Sequence, residues 1–354
     1  MRAGNVLLDL ESLANISFAM AIFLDASDTP HGMRQLIQMF LQSRPGRSQP
    51  LYDVINDLGQ YARATDPRDF VYGFLGLGAP LSEAIRPDYR LGVIDVFVET
   101  TRAMIAASQN LEILGVCGDC GDNENEFSAL PSWVPNWTAE RAWIPFTSSR
   151  FHASRGRTHQ CESISGDTSG LIVRGALVDE VIYMTHTRHS QVNIVEETTL
   201  KRMFRLEELI DELTTVSLPV HGEVTRERLM KVCTADGKSY SEGQPLTPET
   251  ISVLLRYHDG DDSVIPDAFT QKLLKSIIQK RTVFCSENGK LGVLSVRAQT
   301  GDQIAILHGA SSPIVLRPTS DGAYQYKGQC YVEDLVYGET CIWEEDEAEE
   351  FLLV

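Results

Sequence analysis

The stretch Ala64-Thr65-Asp66-Pro67-Arg68-Asp69-Phe70-Val71-Tyr72-Gly73-Phe74-Leu75-Gly76-Leu77 is the best-specified element of the chain. Asp66 suits a helix N-cap, Pro67 suits the first helical position, and Asp69 falls third, where a carboxylate meets the positive end of the helix dipole. Phe70, Val71, Phe74 and Leu75 recur at three- and four-residue spacing, so one apolar face forms at once. Gly76 and Gly78 offer a stop, and Pro80 forbids continuation. A short helix, docked by its apolar face, is the expectation.

Moving outward, residues 6–24, 33–41 and 51–61 read as helices, punctuated by Pro30, Pro45-Gly46 and Pro50. On the other side, Pro87 holds Arg86 extended. A helix is then predicted over 93–108, with Val93, Val96, Phe97, Thr100, Met104 and Ile105 at helical spacing. Residues 111–116 are short and apolar, helix or strand, and 117–127 form a glycine-rich acidic loop. Residues 130–143 carry Trp133, Trp137 and Trp143 on a path that Pro131 and Pro135 keep extended.

From about residue 145 the pattern changes to strand and turn. Strands are expected at 170–175 and 177–184, then a helical insertion over about 198–281, in which Thr247-Pro248-Glu249 opens one helix and 267–280 forms another. Asn288-Gly289 signals a two-residue hairpin between 282–286 and 290–296. Further strands are expected at 303–307, 314–316, 324–326 and 331–336. Arg174-Gly175 before Val178-Asp179-Glu180, and Lys327-Gly328 before Val332-Glu333-Asp334, read as similar strands of one barrel-like sheet. The fold class is therefore α+β. A helical lobe with its tryptophan-rich segment (1–145) accompanies a β-rich, barrel-like part with a helical insertion (146–354).

Composition narrows the function. A net charge of −18 and a pI near 4.9 leave no basic stripe to neutralise phosphates, which excludes nucleic acid as a partner. The acidic run at 344–350 reads as a solvated tail. The apolar run at 13–24 follows Asp9 and Glu11 where a signal peptide carries positive charge, and it is too short to span a bilayer. Seven cysteines scattered over the chain point to reduced thiols and a cytoplasmic location, so the Asn15 and Asn136 glycosylation patterns lose their meaning.

The local motifs favour plain structure over chemistry. Cys117-Gly118-Asp119-Cys120 has no second ligand pair at finger spacing and no thioredoxin-like setting. The surrounding Asp119, Asp122, Glu124 and Glu126 lack the EF-hand pattern. Asp259-Gly260-Asp261-Asp262 matches the D-x-D-D string of class II terpene cyclases, but a loop between helices is the better reading. His186 and His189 sit three apart at a strand end. No P-loop, G-x-S-x-G or H-E-x-x-H occurs, and neither cofactor nor metal is expected.

Residues 65–77 resemble the DPRD-x-[VI]-[YF]-x-[LF]-L-G-L segment that follows the HET domain in fungal heterokaryon-incompatibility (HET) proteins. Pro87-Asp88-Tyr89, Leu130-Pro131-Ser132-Trp133-Val134-Pro135-Asn136-Trp137 and the run 289–338 fit the same family in order. The resemblance implies that the family's TIR-like HET effector would precede residue 1. The N-terminal helices, which would follow that domain, must then pack on the body of this chain, on another copy of it or on a protein partner.

Two functions follow. One is a cofactor-independent cyclase of Diels–Alderase type in fungal natural-product biosynthesis, since a shaped apolar pocket with one or two hydrogen bonds can suffice for cycloaddition. Its catalytic residues would be Arg68 and Tyr89, and a small apolar substrate would lie against Tyr72, Trp133, Trp137 and Trp143. The other is a non-catalytic recognition module of the incompatibility system. Apart from either function, the plain structural reading of these residues is that Arg68 pairs with a buried acid, Asp69 caps its helix, and the tryptophans are core.

Overall fold

The computed structural model describes residues 2–3, 6–7, 51, 55, 64–75, 85–117, 127, 129–139, 146, 151–159, 170–186, 205–236, 246–261, 263, 281–295, 297–341 and 347–354. They fall into two compact units. The first comprises Met1–Ser108, Glu126–Ala129 and Asn136–Glu140; the second comprises Gln109–Asn125, Leu130–Pro135 and Arg141–Val354.

In the first unit, β1 (Arg2–Ala3) pairs antiparallel with β2 (Val6–Leu7), so residues 6–7 open as strand where a helix was expected. Leu51 and Ile55, one helical turn apart, are both helical and buried. Helix α1 (Asp69–Tyr72) is a single turn, flanked by turns at 66–68 and 73–75. Helix α2 (Val93–Ser108) has the predicted bounds. Its periodic positions Val96, Phe97, Thr100, Met104 and Ile105 are buried. The buried hydroxyl of Thr101 is satisfied by donating to the Phe97 carbonyl one turn back (2.8 Å). Phe97 in turn stacks on Phe127 at 6.1 Å.

In the second unit a short 3-10 helix (Glu112–Val116) resolves the helix-or-strand ambiguity, and the sheet is built around one long strand, β3 (Leu171–Met184). The others are β4 (Arg281–Ser286), β5 (Leu291–Ser295), β6 (Gln303–Leu307), β7 (Ile314–Pro318), β8 (Tyr324–Gln329), β9 (Tyr331–Val332) and β10 (Glu349–Leu353). Their order is β10-β8-β7-β6-β3-β4-β5-β9, and β10 also pairs with β3. The pairings β3–β6–β7–β8–β10–β3 thus return on themselves, which makes the sheet barrel-like, while β4, β5 and β9 extend it from the far half of β3. Two register shifts, at Leu177/Asp179 and Val181/Tyr183, let β3 change partners along its length. Gly175 is the contact point with β6: a Cβ there would overlap the Ile306 carbonyl.

The acidic run at 344–350 corrects one expectation. Residues 344–346 lie outside the described residues; Glu349 and Glu350 are exposed but begin β10, whose Phe351 and Leu353 are buried, so this end of the run belongs to a paired strand rather than a tail. Charge density hid the short apolar strand end, in which Phe351 and Leu353 are buried and Leu352 is exposed.

Helices α3 (Leu206–Thr215), α4 (Arg226–Cys233) and α5 (Pro248–His258) make up the described part of the insertion; the helix expected over 267–280 lies outside the described residues. Thr247 caps α5 as its sequence foretold, accepting from Thr250 N at 3.2 Å. Leu209, Leu213, Leu229, Met230 and Leu254 pack on Val283, Cys285, Leu291 and Val293. The alternate residues Phe284 and Leu294 enter a second core with Val181, Ile304 and Val315. β4 is buried at every position, with Val283 and Cys285 facing one core and Phe284 the other, so burial does not alternate along it.

Candidate functional site

Asp66 is the root of the arrangement in the first unit. Its Oδ1 accepts from the Arg68 backbone N–H at 3.0 Å in the turn that precedes α1, so the expected cap is displaced: the helix starts at Asp69, with Arg68 at the N-cap position. The same carboxylate takes a two-pronged contact from the Arg68 guanidinium, Nε to Oδ1 at 2.9 Å and Nη2 to Oδ2 at 2.7 Å. Arg68 Nη1 then reaches across to donate to the backbone carbonyls of Tyr89 (2.6 Å) and Leu91 (2.8 Å). One side chain thereby ties the α1 turn to the loop before α2. The planar fork of arginine makes this geometry possible.

Tyr89 answers in the other direction. Its hydroxyl donates to Asp69 Oδ1 at 2.6 Å, and its ring lies 5.2 Å from the Arg68 guanidinium carbon and 5.3 Å, edge-on, from the Tyr72 ring. The Tyr72 hydroxyl sits between the Asp88 carbonyl and the Asp88 N–H, at 3.3 and 3.2 Å. Asp88 holds Arg90 by a bidentate pair, which draws the Asp88 carboxyl down to about 2. The hydrogen bond to Asp69 raises the Tyr89 phenol pKa, and the bonds from Arg68 lower that of Asp66.

Arg68, Tyr72 and Tyr89, three of the six residues singled out from sequence, therefore form one cluster. Its polar atoms bond to each other and to backbone, while the Tyr89 ring stays 53% exposed. Trp137 belongs to the same unit and is 3% exposed. Trp133 belongs to the second unit and is fully buried; Trp143 lies outside the described residues.

The Pro-Ser-Trp segment has a structural task that its tryptophans concealed. Ser132 N donates to the Val354 backbone oxygen at 3.0 Å, its hydroxyl bonds to the same oxygen, and Tyr326 N donates to that hydroxyl at 2.8 Å. Ser132 thus laces its segment to β8 and to the residue after β10. The Cys117 thiol donates to the Trp133 carbonyl at 3.2 Å, so this half of the C-x-x-C serves packing; Cys120 is outside the described residues. No polar spacing in the sequence announces Ser132, because its partner is some two hundred residues away.

The remaining motifs resolve locally. Asp259 pairs with Arg226 at the end of α5, and Asp261 with Arg256 and Ser263, so the D-x-D-D string forms a helix-ending turn with Gly260 at φ +92°. Asp262 and His189 lie outside the described residues. His186 Nδ1 is 3.0 Å from Glu212, which also accepts from the Tyr183 hydroxyl at 2.9 Å. Among the described residues, no group of three or more His, Cys, Asp or Glu is placed to hold a metal, and no helix is long and apolar enough to cross a membrane.

A helical part joined to a barrel-like sheet defines a class, and the comparisons agree: residues 252–354 match the family model described as the Het-6 beta-barrel domain. The matched part is the C-terminal third of the chain, and the similarity to a fungal heterokaryon-incompatibility protein extends beyond it. It is similar to heterokaryon incompatibility protein 6, OR allele, of Neurospora crassa, with 22% identity over 408 aligned positions covering 94% of this chain. Those positions span 59% of that protein. No solved structure matches.

Proposed function

We propose that this chain is a recognition part of a heterokaryon-incompatibility protein and engages a protein partner through the loop that carries Tyr89 and Arg90. The observation that carries this reading is how the candidate cluster uses its polar atoms. The Arg68 fork and the Tyr89 hydroxyl, which a catalyst would aim at substrate, are bonded to Asp66, Asp69 and two backbone carbonyls. What faces outward is the half-exposed Tyr89 ring beside the Arg90 side chain, 91% exposed. Rigidly held tyrosine and arginine are the residue types that most often anchor protein interfaces. The similarity to a protein named for heterokaryon incompatibility supports the same assignment.

The cofactor-free cyclase is the competing reading. It needs an apolar chamber bordered by Trp133, Trp137 and Trp143, with Arg68 or Tyr89 supplying a hydrogen bond. One experiment separates the two. The gene is deleted, or replaced by a Tyr89→Ala/Arg90→Ala version, in a strain whose fusion compatibility with tester strains is scored. The metabolites of each strain are profiled in parallel. Recognition predicts altered compatibility in both strains and an unchanged metabolite profile. Unchanged compatibility, with an accumulating precursor that the purified protein converts without added cofactor, would overturn it in favour of the cyclase.

A further inference from the structure

Three lysines lie among the described residues, and they are not placed alike. Lys231 Nζ stands 3.9 Å from Asp236, and Lys290 Nζ 3.5 Å from Asp334. Lys327, on β8, has no carboxylate partner among the described residues; its Nζ donates to the Gln325 amide oxygen at 2.8 Å. Tyr326 between them is buried, as is Leu316, its partner on β7, so Gln325 and Lys327 share the other face of the sheet. Arg317 stands directly opposite Gln325 in the register, which makes it the diagonal neighbour of Lys327.

The carboxylate that acts on this group is already committed. Asp302, fully buried just before β6, accepts from Arg317 Nε at 2.7 Å on one oxygen. Its other oxygen takes Arg317 Nη2 at 2.9 Å and the Gln299 N–H at 2.8 Å. Arg317 Nη2 also donates to the Arg297 carbonyl at 3.1 Å, which ties the stretch after β5 to the same place. The Ser295 Cβ, at the end of β5, lies 3.6 Å from where a Cβ on Gly328 would stand. Arg297, Arg317 and Lys327 thus share the field of one carboxylate, which Arg317 holds with both prongs. Burial lowers the Lys327 ammonium pKa most and the Arg317 charge next; Asp302 opposes them and Arg297 adds to them. Arg317 Nη1, unlike Nε and Nη2, makes no hydrogen bond among the described residues.

We propose that Lys327 is an acylation site for small acyl phosphates, with Nζ as the nucleophile and Arg317 Nη1 as the contact that receives the phosphoryl group. A lysine amine attacks only as the neutral base, and burial beside other cations favours that form. The step balances without a further reactant. The Nζ lone pair attacks the acyl carbon and an N–C bond forms. The bond from that carbon to the bridging oxygen breaks, phosphate leaves with the electron pair, and Nζ gives its surplus proton to water. The guanidinium favours departure by pairing with the charge of the leaving group. The product is an uncharged amide, so one of the three positive charges around Asp302 is removed.

The test treats the full chain with acetyl phosphate at neutral pH and follows acetylation of Lys327, Lys231 and Lys290 in time by peptide mass spectrometry. The acetyl ester of N-hydroxysuccinimide, which carries no phosphate, is run in parallel. Lys327 is expected to acetylate several-fold faster than the other two with acetyl phosphate, and to lead by less with the ester. Its lead should shrink at about pH 10, where ordinary lysine amines are themselves partly neutral. Gln325→Glu puts a carboxylate where Lys327 Nζ already bonds, and should abolish the lead with both reagents while Lys231 and Lys290 react as before. Arg317→Gln should remove the preference for acetyl phosphate over the ester. Unfolding midpoints check that both variants fold; if loss of the Asp302 pair unfolds Arg317→Gln, Gln325→Glu and the two reagents still decide. Lys327 reacting no faster than Lys231 and Lys290 overturns the proposal. So does a lead that survives Gln325→Glu, or one as large with the ester as with acetyl phosphate.

Discussion

Arg68 makes four hydrogen bonds to groups that are distant in sequence or constrained in conformation, and no other residue type could make them all. Lysine has one nitrogen to offer where arginine places three around a plane. Arg68→Ala is expected to lower the unfolding midpoint, through the loss of charge-assisted bonds and two orphaned carbonyls, and Arg68→Lys to recover less than half of that shift. Urea denaturation followed by far-ultraviolet circular dichroism measures both, and a midpoint unmoved by Arg68→Ala would remove the structural role. His159 supplies a pH prediction. Its imidazole is held at about 4 in the fold against about 6.5 in the unfolded chain, so between those values the unfolded state binds the extra proton. Stability should therefore rise with pH across that window, by up to about 1.4 kcal/mol per unit, and level off above it. His159→Gln should flatten that slope in denaturation midpoints measured at successive pH values; an unchanged slope would assign it to other groups.

Elements in the second unit are joined by polar clasps as well as by apolar contact. Arg228 on α4 forms a bidentate pair with Glu333, just past β9, at 2.7 to 3.2 Å, with both side chains less than a fifth exposed. Glu333 also accepts from Leu291 N on β5 (3.2 Å), and Arg228 donates to the His221 carbonyl (2.7 Å). Glu333→Ala leaves a half-buried guanidinium and a strand N–H without their acceptor, and should cost about 2–4 kcal/mol, read from thermal unfolding. Gly289 is the other join: its φ is +70°, and a Cβ there would overlap the Pro219 carbonyl of the insertion. Gly289→Ala should therefore destabilise by more than the roughly 1 kcal/mol of a left-handed alanine alone, and an effect at or below that figure would mean that the α3–α4 connection yields. The Asn288-Gly289 hairpin was legible in sequence because its turn chemistry is local, and so were the 93–108 helix and the Thr247 cap. Three features were not. The 14-residue β3 read as two strands because its two bulges break the alternation. β10 hid under its charge, and the Ser132 and Glu333 clasps join segments whose spacing carries no period. The Arg68–Tyr89 cluster was half legible: its members stand out in the family-like motifs, but the Asp66 fork and the two carbonyl acceptors exist only once the loop folds back.

At the scale of the whole chain, the match to the Het-6 beta-barrel domain covers residues 252–354, while the strand that joins the sheet together lies upstream of it. β3 is the shared partner of β10, β6 and β4. Without it the pairings fall into two pieces, β10-β8-β7-β6 and β4-β5-β9, and three strand edges stand open. Such edges expose unpaired backbone groups along strands whose inner faces are apolar, a recipe for association. Residues 206–255 supply much of the apolar cover over β4 and β5, and the matched segment lacks most of that as well. A fragment of residues 252–354 is therefore expected to lack a cooperative urea transition and to aggregate as its concentration rises. A fragment of residues 109–354, which restores β3, the insertion and the Ser132 segment, should unfold cooperatively. Sedimentation velocity and denaturation of the two fragments side by side decide it. A monomeric, cooperatively folded 252–354 fragment would show that β3 is an accessory strand and that the family domain closes by some other pairing.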